Sequence, residues 1–347
     1  MLKGALTGIG RLGRLHFKNL NMLSELRKDF EFVAVCDIDE AKLSGAHFAR
    51  SNVDSGDQKA FDMSRYHLYT DFDEMLEKED LDFVVLAVPT DLHAPFAVKA
   101  MEKGLNVFSE KPMAHNIEWA TKMVEAQKRT GKKLMVGQCL RFWREYLYLK
   151  QVVESGVYGK VNSAHFWRGG YQDHVANPSY QGWILKKERG GGGLYDQHVH
   201  DADLILWLFG FPNGVFTQGK TVFEGSADDV MLTTYLYPGM VITARDDTAC
   251  KGFPFSYGYE VGLELATLYF SNGKLQVWEE HKEPFSPDLS GLTKFQSAYE
   301  SELDYFIDAQ INDTEIARAT GEQARDTIRL IEAEAKSSAL TQIVTID

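Results

Sequence analysis

The glycine pattern Gly8-Ile9-Gly10-Arg11-Leu12-Gly13 constrains this chain more than any other feature. Before it, Leu2-Lys3-Gly4-Ala5-Leu6-Thr7 reads as a short buried strand. After it, a helical pattern runs over residues 14–23. A chain that passes so abruptly from strand to helix needs glycines with distinct duties. Gly8 permits the tight turn, Gly10 lets a pyrophosphate approach the backbone, and Gly13 lets the helix pack against the strand. The helix N-terminus then offers N–H groups and a partial positive charge to phosphates. The whole turn, including Ile9, Arg11 and Leu12, is a candidate dinucleotide cradle.

The next run, Phe32-Val33-Ala34-Val35-Cys36, is apolar and β-prone, and Asp37 ends it 24 positions beyond Gly13. That is near the spacing of the acid that binds the adenosine ribose hydroxyls. A carboxylate there repels a 2′-phosphate, so NAD is favoured over NADP. Asp37 alone is also compatible with a plain strand-end turn, because Asp39 and Glu40 follow as a helix start. Residues 51–65 are polar and read as a loop without chemistry. Helical patterns near 72–78, over 93–103 and over 117–130 alternate with apolar runs at 83–88, 105–108 and 133–137. This α/β alternation predicts a Rossmann-type, doubly wound parallel sheet over residues 1–139.

In such sheets ligands bind beyond the carboxyl ends of the strands. Pro89, Thr90 and His93 follow one strand and are candidate cofactor contacts. Ser109-Glu110-Lys111-Pro112 follows the next, which puts Glu110 and Lys111 at the mouth of a cofactor crevice, with Glu110 holding the loop. Taken alone, the same four residues also fit a surface loop with an exposed ion pair. Pro112 biases Lys111 towards extended backbone, and a cis Lys111–Pro112 bond is expected.

The 347 residues suggest two domains, and 44% apolar with 25% charged residues is the balance of a soluble globular protein. A net charge of −13 argues against a nucleic-acid partner. Cys36, Cys139 and Cys250 are far apart and form neither a disulfide framework nor a metal knuckle. No signal pattern and no membrane-length apolar run is present, so the expected location is cytoplasmic and no membrane partner is expected. Residues 140–347 read as a second, α+β domain. A helix begins at Arg141-Phe142-Trp143-Arg144. Alternating runs at 160–168, 214–223, 230–237, 241–245, 257–263 and 267–270 predict a large, mostly antiparallel open sheet, which suggests a subunit interface. Helices over 297–311 and 321–337 close the chain.

Within this half, Gly190-Gly191-Gly192-Gly193 reads as a flexible lead into a helix that is buried on every side from Leu204 onward. At 100° per residue Asp196, His200, Asp203 and Trp207 share a face, and Asp196 and His200 can touch. A histidine oriented by a carboxylate suits proton transfer at neutral pH. The residues alone leave open a core histidine satisfied by a neighbour. A metal site is disfavoured, because His198 and His200 point about 200° apart on a helix.

Together these motifs resemble the glucose–fructose oxidoreductase / inositol dehydrogenase / MocA family over essentially the whole chain. The glycine turn with Asp37, the Glu110-Lys111-Pro112 triplet, the glycine run followed by Asp196 and His200, and Ala319-Thr320-Gly321-Glu322 carry the resemblance. It implies an NAD-dependent dehydrogenase acting on a sugar, inositol or related polyol, and a homo-oligomer, either dimer or tetramer. His200 would be the general base, Lys111 would stabilise the reacting oxygen, and Asp196 would orient His200 or the substrate. Arg141, Tyr171, Asp173, His174 and Trp183 would contact the substrate. The alternatives are a glycosidase that uses NAD for transient oxidation and a non-catalytic NAD-sensing regulator. Two departures from the family pattern stand out. His198 occupies a place where small residues are common, and is read as narrowing the pocket or adding a polar contact. The segment Gly137-Gln138-Cys139-Leu140-Arg141 lacks the usual arginine-rich form.

Overall fold

A computed structural model describes residues 1–45, 61–170 and 180–346. The chain forms two compact units. The first opens with β1 (Leu2–Thr7), α1 (Arg11–Leu26), β2 (Phe30–Cys36), β3 (His67–Tyr69) and α2 (Phe72–Lys78). It continues with β4 (Phe83–Leu86), α3 (Thr90–Glu102), β5 (Asn106–Ser109), α4 (Ile117–Thr130) and β6 (Leu134–Val136). These strands form one parallel sheet in the order β3-β2-β1-β4-β5-β6. The order reverses between β1 and β4, so the loop leaving β1 lies at the switch point where such sheets bind ligands.

Burial explains these elements. Every residue of β4 and of β6 is buried, as a sheet covered on both faces requires. Helix α1 turns Phe17, Leu20 and Leu23 inward, at spacings of three. Phe17 meets Phe32 edge-on at 5.5 Å between ring centroids. Burying a side chain of that kind contributes about 1.5–3 kcal/mol. Strand β3 has no apolar signature, since none of its residues is fully buried, and only pairing with β2 reveals it.

The second unit contains α5 (Arg144–Ser155), β7 (Val161–Gly169), α6 (Val199–Phe209), β8 (Gly214–Lys220), β9 (Val230–Tyr237) and β10 (Met240–Asp247). Next come β11 (Ser256–Leu263), β12 (Ala266–Ser271) and β13 (Lys274–Glu279). The last elements of the chain are α7 (Ala298–Ile311), α8 (Gly321–Leu340) and β14 (Val344–Thr345). The sheet order is β13-β12-β11-β7-β10-β9-β8-β14. Only β7 and β10 pair in parallel, and every other pair is antiparallel. One face carries Phe166, Ile242, Tyr235, Tyr259, Leu268 and Val277, all essentially inaccessible. The other face is open. Helix α5 begins at Arg144 and not at Arg141, which lies in a preceding 3-10 turn, Cys139–Phe142.

A single cut between residues 139 and 140 does not divide the chain, because Tyr299–Arg325 belongs to the first unit. The reason is hydrophobic. Phe306 on α7 is fully buried, and its ring meets Phe83 of β4 and Phe108 of β5 edge-on at 5.4 and 5.8 Å. Among the described residues no helix is long and apolar enough to cross a membrane.

Candidate functional site

The glycine turn of the first unit is built as its spacing requires. Gly8 has φ +91°, and a Cβ there would stand 2.5 Å from the Ala87 carbonyl oxygen. A Cβ on Gly13 would stand 1.9 Å from the Gly8 carbonyl oxygen. At both positions the protein's own backbone fills the space. Gly10 differs, since a Cβ there would meet nothing within 4 Å. This open ground lies at the N-cap of α1, which makes no side-chain cap hydrogen bond, so the residues fit a phosphate approaching the first-turn N–H groups. Asp37 joins the turn to β2. Its Oδ2 accepts the Ile9 N–H at 2.7 Å, its Oδ1 accepts the Asp39 N–H at 2.9 Å, and Lys42 Nζ lies 3.4 Å from Oδ1. The strand-end turn and the candidate ribose site are therefore one feature.

His93 braces the loop after β5 against the end of β4. Its ring is buried, with Nδ1 2.8 Å from the Pro112 carbonyl and Nε2 2.8 Å from the Val88 carbonyl. Burial, the largest influence, holds its pKa below the usual value against these carbonyls and the charge of Glu110. Thr90 is buried too, and Pro89 half-buried. Glu110 likewise turns inward: the His16 Nε2–H donates to its Oε1 at 2.6 Å, and its Oε2 accepts the Lys111 N–H at 3.0 Å. Burial pushes the Glu110 carboxyl up. The hydrogen bond from His16 and the charges of His16, Lys111 and His93 outweigh it and leave the carboxyl below its ordinary range. Lys111 is half-buried and its bond to Pro112 is cis.

In the second unit a π turn, Leu194–His198, leads into α6. From residue 190 to residue 205 every residue is buried except Asp196 and His200. The fully α-helical spacing also placed Asp203 with them. Asp203 is buried, where it pairs with Arg141 (Nε–Oδ2 2.7 Å, Nη2–Oδ1 2.9 Å) and accepts the Thr327 hydroxyl at 2.9 Å. The guanidinium of Arg141 is 2% exposed and holds Asp203. Removing one partner of such a pair leaves a buried charge, at a cost of about 3–5 kcal/mol.

His198 does not narrow a pocket. It is fully buried, with Nε2 2.8 Å from the Glu334 carboxylate and 3.3 Å from the Tyr235 hydroxyl. Burial would lower its pKa, but Glu334, with Asp246 and Asp201 beyond it, raises it to about 9. Arg168 and Asp201 form a second buried pair, at 3.1 and 3.2 Å. Asp201, Asp203 and His198 are thus each directed to a different protein partner. The glycine run is not a flexible lead. It is buried, and at Gly192 (φ +69°) a Cβ would stand 2.3 Å from Ser226 Oγ. Trp183 is half-buried in another π turn, Tyr180–Ile184. Tyr171, Asp173 and His174 lie outside the described residues.

Residues 2–138 match the profile of an oxidoreductase family with an NAD-binding Rossmann fold, and residues 146–264 match the GFO/IDH/MocA C-terminal domain. The chain belongs to the GFO/IDH/MocA oxidoreductase family. Its first unit is that family's NAD-binding domain. Among relatives of this GFO/IDH/MocA chain, a 2,7-anhydro-N-acetylneuraminate hydratase of Mediterraneibacter gnavus is 34% identical over 160 residues, 46% of this chain and 42% of the relative. In such hydratases the match spans half of their length or less. An inositol 2-dehydrogenase of Corynebacterium glutamicum is 24% identical over 332 residues, 91% of this chain and 88% of the relative. The crystal structure of the WlbA dehydrogenase of Chromobacterium violaceum, in complex with NADH and UDP-GlcNAcA, superposes with a TM-score of 0.85. It is 20% identical and covers 100% of this chain and 96% of its own, a likeness of fold.

Sequence reasoning missed the buried partners His16, Glu302, Glu334 and Tyr235. No local signal marks them, because each acquires its role from an element distant in the chain.

Proposed function

We propose that the protein is an NAD-dependent dehydrogenase acting on a carbinol carbon of a sugar, inositol or related polyol. The observation that carries this reading is that Asp196 and His200 are half-buried in an otherwise buried stretch of a chain whose first unit is an NAD-binding domain. His200 takes the hydroxyl proton as general base. Lys111 hydrogen-bonds the reacting oxygen and stabilises its developing negative charge. Asp196 orients His200 or the substrate. Tyr171, Asp173, His174 and Trp183 are assigned to substrate recognition, since polar side chains and an aromatic platform suit a polyol. NAD, which the Gly8–Gly13 turn and Asp37 would hold, would supply the hydride acceptor for the carbinol carbon. Similarity to inositol 2-dehydrogenases supports a polyol or sugar substrate.

The test is NADH formation across a panel of inositols, aldoses and polyols. At least one should be oxidised, with the rate rising with pH as an imidazole base deprotonates. Lys111→Met and His200→Ala should each lower kcat by about 10²-fold or more. Normal turnover in both variants would remove the mechanism.

A second reading is a glycosidase that uses tightly held NAD for transient oxidation and returns the hydride, with no net NADH. Deuterium uptake from solvent into product without NADH accumulation would select it. We also infer that the open face of the second sheet meets a second copy of this chain, supported by the apolar side chains exposed along it.

A further inference from the structure

We propose that His16 and Glu110 form a mount that positions Lys111, with Glu302 packed beside them as the neutral acid. This rests on the assignment of Lys111 to the reacting oxygen. The three side chains come from separate elements of the first unit: α1, the loop after β5, and α7. His16 and Glu302 are 0% exposed and Glu110 is 4% exposed.

Glu110 is held at both oxygens. His16 Nε2 donates to Oε1 at 2.6 Å, and the backbone N–H of Lys111 donates to Oε2 at 3.0 Å. Gly137 closes the side of Oε1, since a Cβ there would stand 3.2 Å from it. The carbonyl of Pro112, on the far side of Lys111, lies 2.8 Å from His93 Nδ1. The backbone that carries Lys111 is therefore clamped immediately before and after it. A lysine on a four-carbon stem is a mobile charge, and a displacement of about 1 Å at a reacting atom can cost about 10²-fold in rate. A fixed backbone origin limits that displacement.

Glu302 completes the cluster. The ligand atoms of His16, Glu110 and Glu302 all lie within 4.8 Å of one another. Two carboxylates so close in a site without water contact do not both ionise. Glu110 keeps the charge, because it accepts two N–H bonds and hydrogen bonds to the charged form favour it. The environments agree: burial and then the charge of Glu110 push Glu302 well above the usual carboxylate range. A divalent ion is a poor occupant. The 2.6 Å between His16 and Glu110 is a hydrogen-bond distance, whereas two ligands about 2.0–2.2 Å from one ion stand roughly 3 Å or more apart.

The test uses the full-length protein and a substrate identified by the panel, with Lys111→Met, Glu110→Gln, His16→Phe, Glu302→Ala and Glu302→Gln in parallel. NADH affinity is measured by fluorescence titration, and kcat and KM are measured separately. The expected result is a kcat lowered about tenfold or more in Glu110→Gln, His16→Phe and Glu302→Ala, with NADH affinity kept. Glu302→Gln, the neutral isostere, should recover most of the loss seen in Glu302→Ala. Infrared spectra at neutral pH should show a protonated carboxylic acid in the wild type that disappears in Glu302→Gln. If Lys111→Met is inactive while Glu110→Gln and His16→Phe turn over normally, the mount is wrong and the Lys111 assignment stands. If Lys111→Met is fully active, that assignment fails first. A wild type without the protonated-acid band, or one purified with a stoichiometric metal ion, overturns the neutral-acid state of Glu302.

Discussion

His198 shows how far one side chain can depart from what its position suggests. It sits two residues from His200, yet it is sealed against Glu334 and Tyr235. Its pKa is raised from 6.5 to about 9, above the value it would have in an unfolded chain. A raised folded pKa stabilises fully below the unfolded value and loses that contribution as pH climbs through the folded one. Stability to denaturant should therefore fall between about pH 6.5 and 9, by an amount on the order of 3 kcal/mol. His198→Gln should flatten this slope, and an unchanged slope in the variant would show that the pair carries no such linkage. Arg141 follows the same pattern. Its charge is committed to Asp203, so its loss should appear first as lost stability and not as a changed KM.

At the scale of elements, the β1–α1 turn separates what the fold needs from what a ligand needs. Gly8 and Gly13 are required by contacts inside the protein, and Gly10 is not. Gly13→Ala should destabilise the first unit by about 1–3 kcal/mol, read as a lower thermal midpoint, because a methyl group would press on the Gly8 carbonyl. Gly10→Ala should leave the midpoint nearly unchanged and weaken NADH binding about tenfold, measured by fluorescence titration. Equal NADH affinity in Gly10→Ala would mean that the pyrophosphate does not pass there. The start of α6 is the other decisive element. A regular wheel puts Asp203 on the face of Asp196 and His200, but Asp203 is buried against Arg141 while the other two are half-buried.

For the whole molecule, the open face of the second sheet is the feature still to be matched with a partner. Leu232, Val241, Tyr269 and Trp278 lie on it at 42%, 65%, 39% and 48% exposure. Exposed apolar side chains collected on one face of a sheet mark a surface for a partner. Light scattering should give a mass that is a multiple of 39.2 kDa. Val241→Glu, which puts a charge at the middle of the face, should shift the assembly towards the single chain. A wild-type mass of one chain would remove the interface. The net charge of −13 keeps nucleic acid an unfavourable partner for any of these surfaces.

The amino-acid order by itself determined the features whose causes are local. The glycine turn, the acid at the end of β2 and the alternation of apolar runs with helices all depend on neighbours a few residues apart. Backbone sterics and side-chain periodicity act at that range. The tertiary structure alone decided which polar groups meet. Glu110 meets His16 across 94 positions, Arg141 meets Asp203 across 62, and Tyr259 reaches the Glu145 carbonyl across 114. Periodicity can say which way a side chain faces. What waits there is set by packing between distant elements, and in a buried site that partner decides charge, pKa and role.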